Sequence, residues 1–203
     1  MFDLNAYLEA GNLELYVLGN LTEPERKEVE EYASIYPEVA QELLDISKAL
    51  EAYAQNYAVA PDITLKPTIL STIDFIERMQ NGEPVSYPPT LHTNSVIADY
   101  AEWLDRKDMV LPNDFEDIFG KVISHTEQST LAIIWLKYGS PTEVHTDKLE
   151  SFLIVEGSCI ITIEDEEHLL YPGDVLSIPL YKNHFVKVTS SVACKVILQR
   201  LAA

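Results

Sequence analysis

The sequence predicts an α+β protein of two domains, a small N-terminal helical bundle followed by a β-sandwich or barrel. Three observations carry this expectation. Apolar residues recur at helical spacing from Asn5 to about Asn81, and beyond about residue 118 the period falls to two. Between these regions Pro84, Pro88 and Pro89 lie close to Gly82, in a stretch whose prolines hold themselves and their predecessors extended. The expected division is a helical domain over 1–81, a linker over 82–94 and a β domain with a short leading helix over 95–203. The length, 203 residues with 47% apolar and 23% charged, suits an ordinary folded protein of one or two domains.

In chain order, short helical pieces are expected at Ala6–Ala10 and Leu13–Leu18. Thr22-Glu23-Pro24-Glu25 fits a capping box, with proline tolerated in the first turn. After Pro37 the apolar positions Val39, Leu43, Ile46, Leu50, Tyr53 and Tyr57 line one helical face. Leu65, Ile69, Ile73 and Ile76 mark a further amphipathic helix that ends near Asn81-Gly82, and a short helix is expected over Ser95–Leu104. Strands are expected near 120–125, 130–138, 151–155, 159–163, 175–178, 184–188 and 195–201. These segments are rich in Val, Ile, Thr and aromatics and are often separated by Gly, Pro, Asp or Asn.

The formal charge of -19, from 14 basic and 33 acidic residues, is spread over both halves of the chain. A surface this negative repels phosphate backbones, so direct nucleic-acid binding is not expected, whereas a basic protein partner is allowed. The longest clear apolar run, Leu131–Leu136, falls far short of a membrane span, and Met1-Phe2-Asp3-Leu4 does not begin a signal or transit peptide. A cytoplasmic protein with no membrane partner is the expectation. Cys159 and Cys194 form no Cys-x-x-Cys pair and read as reduced packing residues.

The chemistry-bearing residues cluster in the β half. Gly139 is followed after five residues by His145, then Asp147, Glu150 and Gly157; Gly173 is followed after five residues by Pro179 and then His184. Extended backbone would turn His145 and Asp147 to one face, and Glu150, Phe152 and Ile154 to one face of the next strand. This pattern, over roughly residues 118–203, resembles the two motifs of the cupin superfamily of jelly-roll barrels. Asp147 stands in place of the second His of the first motif, with two residues before Glu150. Tyr181 and Val188 replace the Gly and Asn of the second. The resemblance implies metal ligation by His145, Glu150 and His184, with Asp147 as a further candidate at a shifted spacing. Two imidazoles and a carboxylate suit zinc with a water, or an iron or manganese centre. The alternative is a cupin without metal, its histidines merely polar residues at the barrel mouth. His92 and His168 read as surface residues, and His125 as a strand residue able to face the cavity but without motif support.

The N-terminal region carries its own resemblance. Leu13-Glu14-Leu15-Tyr16-Val17-Leu18-Gly19-Asn20-Leu21, Glu28-Val29-Glu30 and Pro37-Glu38-Val39 are similar to the sigma-binding domain of zinc-type anti-sigma factors. Where that family carries His and two Cys as zinc ligands, this sequence has Tyr32, Tyr36 and Val39, so no metal is expected in the helical domain and apolar packing would replace it. Helical domain and cupin together resemble the ChrR-like anti-sigma factors. That resemblance implies sequestration of an extracytoplasmic-function sigma factor within residues 1–80, with the cupin as a metal-, small-molecule- or redox-responsive sensor. The other readings are an acidic dimerisation bundle and a cupin metalloenzyme, of oxygenase or isomerase type, with a helical oligomerisation module. No nucleophile-base pair or phosphate loop is legible, so the catalytic alternative rests on fold analogy.

Overall fold

The computed structural model describes residues 3–203 and divides into two compact units, Met1–Ala60 and Pro61–Ala203. The first contains α1 (Leu4–Leu8), α2 (Asn12–Val17), α3 (Glu23–Ile35) and α4 (Pro37–Gln55). At the start of α3 the Glu25 carboxylate accepts from both the backbone N–H and the hydroxyl of Thr22, at 2.8 and 2.6 Å, which ties the residue before the helix to its first turn. Leu13, Val29 and Val39 are the fully enclosed centre of the bundle, with Leu43 and Ile46 packed against them. Tyr32 and Tyr36 border the same core, and Tyr7 meets Tyr32 edge-on at 4.8 Å between ring centres. Tyr32, Tyr36 and Val39 thus contribute aromatic and aliphatic packing to the bundle. The expected apolar stripe is used unevenly: Val39 is buried, Tyr53 is exposed, and Tyr57, also exposed, lies beyond the end of α4.

The second unit contains α5 (Leu65–Gln80), a 3-10 turn at Ile97–Tyr100, α6 (Ala101–Leu104) and eight strands. These are β1 (Ile118–His125), β2 (Ser129–Leu136), β3 (Lys148–Glu156), β4 (Cys159–Ile163), β5 (Glu166–Leu170), β6 (Val175–Ile178), β7 (His184–Val188) and β8 (Cys194–Ala202). Antiparallel pairing gives a five-stranded sheet, β1-β2-β8-β3-β6, and a three-stranded sheet, β5-β4-β7. Between the sheets lie Phe152, Ile154, Ile161, Ile178, Val186 and Val196. The opposite face of the large sheet, with Ile133, Trp135, Leu153 and Ile197, is covered by Leu91, Tyr100, Trp103 and Met109. Strand β5 has no counterpart in the sequence expectation. Its Glu166-Glu167-His168 start is too polar to announce a strand, and it lies at a sheet edge with mostly exposed side chains.

Two expectations are corrected here. The compact units divide after Ala60, so α5 belongs with the barrel and not with the helical bundle. Its Ser71 comes over Gly120 of β1, where a Cβ would already stand 3.6 Å from the Ser71 Cβ. A chain of ion pairs then holds the helix: Lys121 to Asp74, Arg78 to Asp74 at 2.9 Å and to Glu83 at 2.7 Å, and Arg106 to Glu83 and Asp108 at 2.6 Å each. Arg78 also donates to the Val122 carbonyl. The second correction concerns residues 82–94, which are extended as the prolines require but do not form a free linker. Ser86 Oγ donates to the Ile123 carbonyl at 2.6 Å, and the buried Leu91 donates its N–H to Gln199 Oε1 at 2.8 Å. These bonds tie the segment to the barrel, which the proline content alone does not reveal. No helix among the described residues is long and apolar enough to cross a membrane.

Candidate metal centre

The segment that leaves β2 runs antiparallel beside β7. Gly139 begins it with a positive φ of 150°, and a Cβ there would run into the Val186 carbonyl, so only glycine lets the two backbones pass. Ser140 and Glu143 donate their N–H groups to Val186 and His184, at 2.9 and 2.8 Å, and His184 returns a bond to the Glu143 carbonyl at 3.0 Å. This pairing sets Glu143 beside His184, and the two-residue period puts His145 on the same face as Glu143. The chain bends at Thr146-Asp147 before β3 begins. Tyr181, with φ of 60°, ties its own loop to the site by donating its N–H to the His145 carbonyl at 2.8 Å.

Glu150, near the start of β3, is buried behind this face. Its Oε2 lies 3.0 Å from His184 Nε2, and its Oε1 lies 3.4 Å from His145 Nε2 and 2.8 Å from Arg200 Nε. Arg200 also reaches Glu143 Oε2, at 3.2 Å. The two imidazole rings stand 5.1 Å apart. Burial pushes the Glu150 carboxyl upward, but the contacts from His145, His184 and Arg200 outweigh it and hold the group far below the ordinary carboxylate range. For His184 burial acts downward, and the bond from Glu150 reverses it, leaving the imidazole above its usual value. Burial raises Glu143, with Arg200 opposing.

The donor set fits a divalent cation. Ligating atoms of Glu143, His145 and His184 lie within 4.8 Å of one another, and the buried His145 Nε2 makes no hydrogen bond. That nitrogen has carboxylate oxygens of Glu150 and Glu143 at 3.4 and 3.6 Å but no hydrogen bond to either, an unmet need that a metal between the three groups would satisfy. The cluster opens on a cavity of about 460 Å³ whose other walls are mostly apolar.

A sequence profile of the Cupin_2 family, described as the cupin domain, matches residues 134–199. These residues form a cupin domain. Similar solved structures include TT1209 of Thermus thermophilus, 19% identical over 47% of this chain and 92% of that one, TM-score 0.43. KdgF of Halomonas sp. is 19% identical over 47% and 90%, TM-score 0.41. A predicted oxalate decarboxylase of Thermotoga maritima is 13% identical over 42% and 81%, TM-score 0.41. No curated protein sequence matches the chain.

Of the residues that the cupin pattern selected, His145, Glu150 and His184 come together and Asp147 does not. Asp147 sits in the bend after Thr146, exposed, and its carbonyl accepts from the Ala203 N–H. The shortened spacing before Glu150 is absorbed by that bend, which takes Asp147 off the face. Glu143 joins the cluster in its place; its signal was the Glu143-x-His145 alternation, read only in the downstream direction. Arg200 had no signal, because its place follows from β8 pairing Arg200 with Glu150 across the sheet. His125 lines the cavity with its Nδ1 2.8 Å from Thr130 Oγ1, while His92 and His168 lie outside the cluster. Cys159 and Cys194 are buried free thiols of the inter-sheet core.

Proposed function

We propose that this chain is a regulator of the anti-sigma type, in which the first helical unit binds an extracytoplasmic-function sigma factor and the cupin is its sensor. In this reading His145 and His184 give nitrogens, and Glu143 and Glu150 oxygens, to a divalent metal, with zinc, iron or manganese suited to such a set. The observation that carries the reading is the position of α5. It walls the cupin cavity through Thr68, Phe75 and Ile76, and it follows Ala60, the last residue of the helical unit, after four intervening residues. Occupancy of the cavity therefore acts on the element to which the helical unit is covalently joined. Regulation further requires that metal or ligand favour one arrangement of the chain over another.

The test is complex formation between the full chain and the sigma factor encoded beside its gene, with zinc and with a chelator. A complex whose affinity changes at least fivefold between the two conditions is expected. Absence of any complex overturns the regulatory reading, and a complex indifferent to metal removes the sensor role. A cupin metalloenzyme is the second reading, favoured by the cavity beside the metal donors; turnover of a small molecule that is lost in His145→Ala would establish it.

A further inference from the structure

The cavity has two unlike ends. Phe75 and Ile76 of α5 face Ile134, Phe152 and Leu198 of the barrel across an apolar space, while the remaining wall carries Glu143, Glu150 and His184 with Arg200 and Lys148. A volume of about 460 Å³ lies within the range of small-molecule sites, roughly 300–1,000 Å³. Its charges decide what kind of head group fits. The carboxylates of Glu143 and Glu150 are matched by the guanidinium of Arg200 and the ammonium of Lys148, so a divalent cation leaves the polar end with surplus positive charge. Among the described residues the exposed Lys148 has no ion-pair partner, and Arg200 engages the carboxylates through Nε and Nη2, leaving Nη1 outside those pairs.

We propose that this cavity binds an amphipathic organic carboxylate, its apolar body between α5 and the barrel and its anionic head at Lys148, Arg200 and the metal. The inference rests on the metal centre proposed above and adds the class of ligand. A neutral alcohol would leave the surplus charge uncompensated, and an amine would add to it. A ligand lying against Phe75 and Ile76 also touches the one helix of the cavity wall that leads back to the helical unit.

Calorimetric titration of the zinc-loaded full chain tests this with octanoate, 1-octanol and octylamine, which share an apolar body and differ in the head group. Octanoate is expected to bind at least tenfold more tightly than either of the others. Lys148→Met is expected to weaken octanoate at least threefold. Thr72 lies exposed on α5 at the cavity rim, and Thr72→Trp is expected to abolish octanoate binding by filling the space. Equal binding of the three probes overturns the ligand class, and octanoate binding unchanged in Thr72→Trp overturns the location. Zinc uptake is measured on the same samples. A chain that takes up zinc but does not select octanoate loses this inference alone; a chain that takes up no zinc loses the metal centre and the inference built on its charge.

Discussion

Helices α4 and α5 carry apolar stripes of the same kind and use them in opposite ways. In α4 the stripe begins at Val39, which is fully buried against Leu13 and Val29, and the bundle is built on it. In α5 the stripe of Leu65, Ile69, Ile73 and Ile76 stands nearly half exposed, between 46 and 49%. That helix instead meets β1 through the small residues Ser71 and Gly120 and through Asp74 and Arg78. Periodicity establishes that a helix has an apolar face, but contact geometry and charge partners decide which face docks. The first unit is held by apolar burial, and the attachment of α5 in the second by an ion-pair network with low exposure.

The largest expected effect that separates the two modes is on the bundle. Val39→Asp places an unpaired carboxylate among Leu13 and Val29 and should destabilise the helical unit by roughly 3–5 kcal/mol, enough to unfold it. Urea unfolding followed by circular dichroism of the full chain would show a lost or separated helical transition; an unchanged profile would mean that the bundle is not built on this stripe.

Arg78→Ala comes next, at about 2–3 kcal/mol on the second unit. It strips a partner from both Asp74 and Glu83 and a donor from the Val122 carbonyl. Limited proteolysis gives a second view of the same network. The intact chain should be cut first around residues 56–63, with 82–94 protected by its bonds to the barrel, and Arg78→Ala should open sites in 64–83. First cleavage of the intact chain within 82–94 would restore the proline-rich stretch as the boundary.

A smaller effect is expected in acid. The bond from Arg106 holds Glu83 below its ordinary value of 4.5, against the opposing effect of burial, and Asp108 is lowered by the same guanidinium. Groups with depressed folded-state values stabilise above their unfolded values and lose that contribution as pH falls through the folded ones. The unfolding midpoint of the second unit should therefore decline below about pH 4.5, and Glu83→Gln should flatten that limb. The smallest effect is Ile73→Asp, at a half-exposed position of α5 outside the cavity lining, expected to stay within about 0.5 kcal/mol. A cost there comparable to Val39→Asp would show that the stripe is covered by a partner.

The same contrast marks what the sequence could reveal. The two long helices of the bundle were legible from the capping chemistry at Thr22–Glu25 and the spacing after Pro37, because those signals are local, and the two short ones were placed within one or two residues. Seven of the eight strands were legible from branched and aromatic residues, while the polar edge strand β5 was not. At the site, His145, Glu150 and His184 followed from motif spacing. Glu143 and Arg200 did not, since their places depend on the segment beside β7 and on β8 pairing with β3, which bring residues together across long stretches of chain. The attachment of α5 was hidden for the same reason: Asp74, Lys121, Glu83 and Arg106 are neighbours only after the barrel has formed.

The claim on which the functional account rests is that the cupin centre holds a divalent metal. It is tested most directly by elemental analysis of the full chain and of its His145→Ala/His184→Ala variant, purified side by side after exposure to zinc. One equivalent of metal in the native chain and essentially none in the variant is the expected result. Equal metal in both, or none in either, would contradict the assignment.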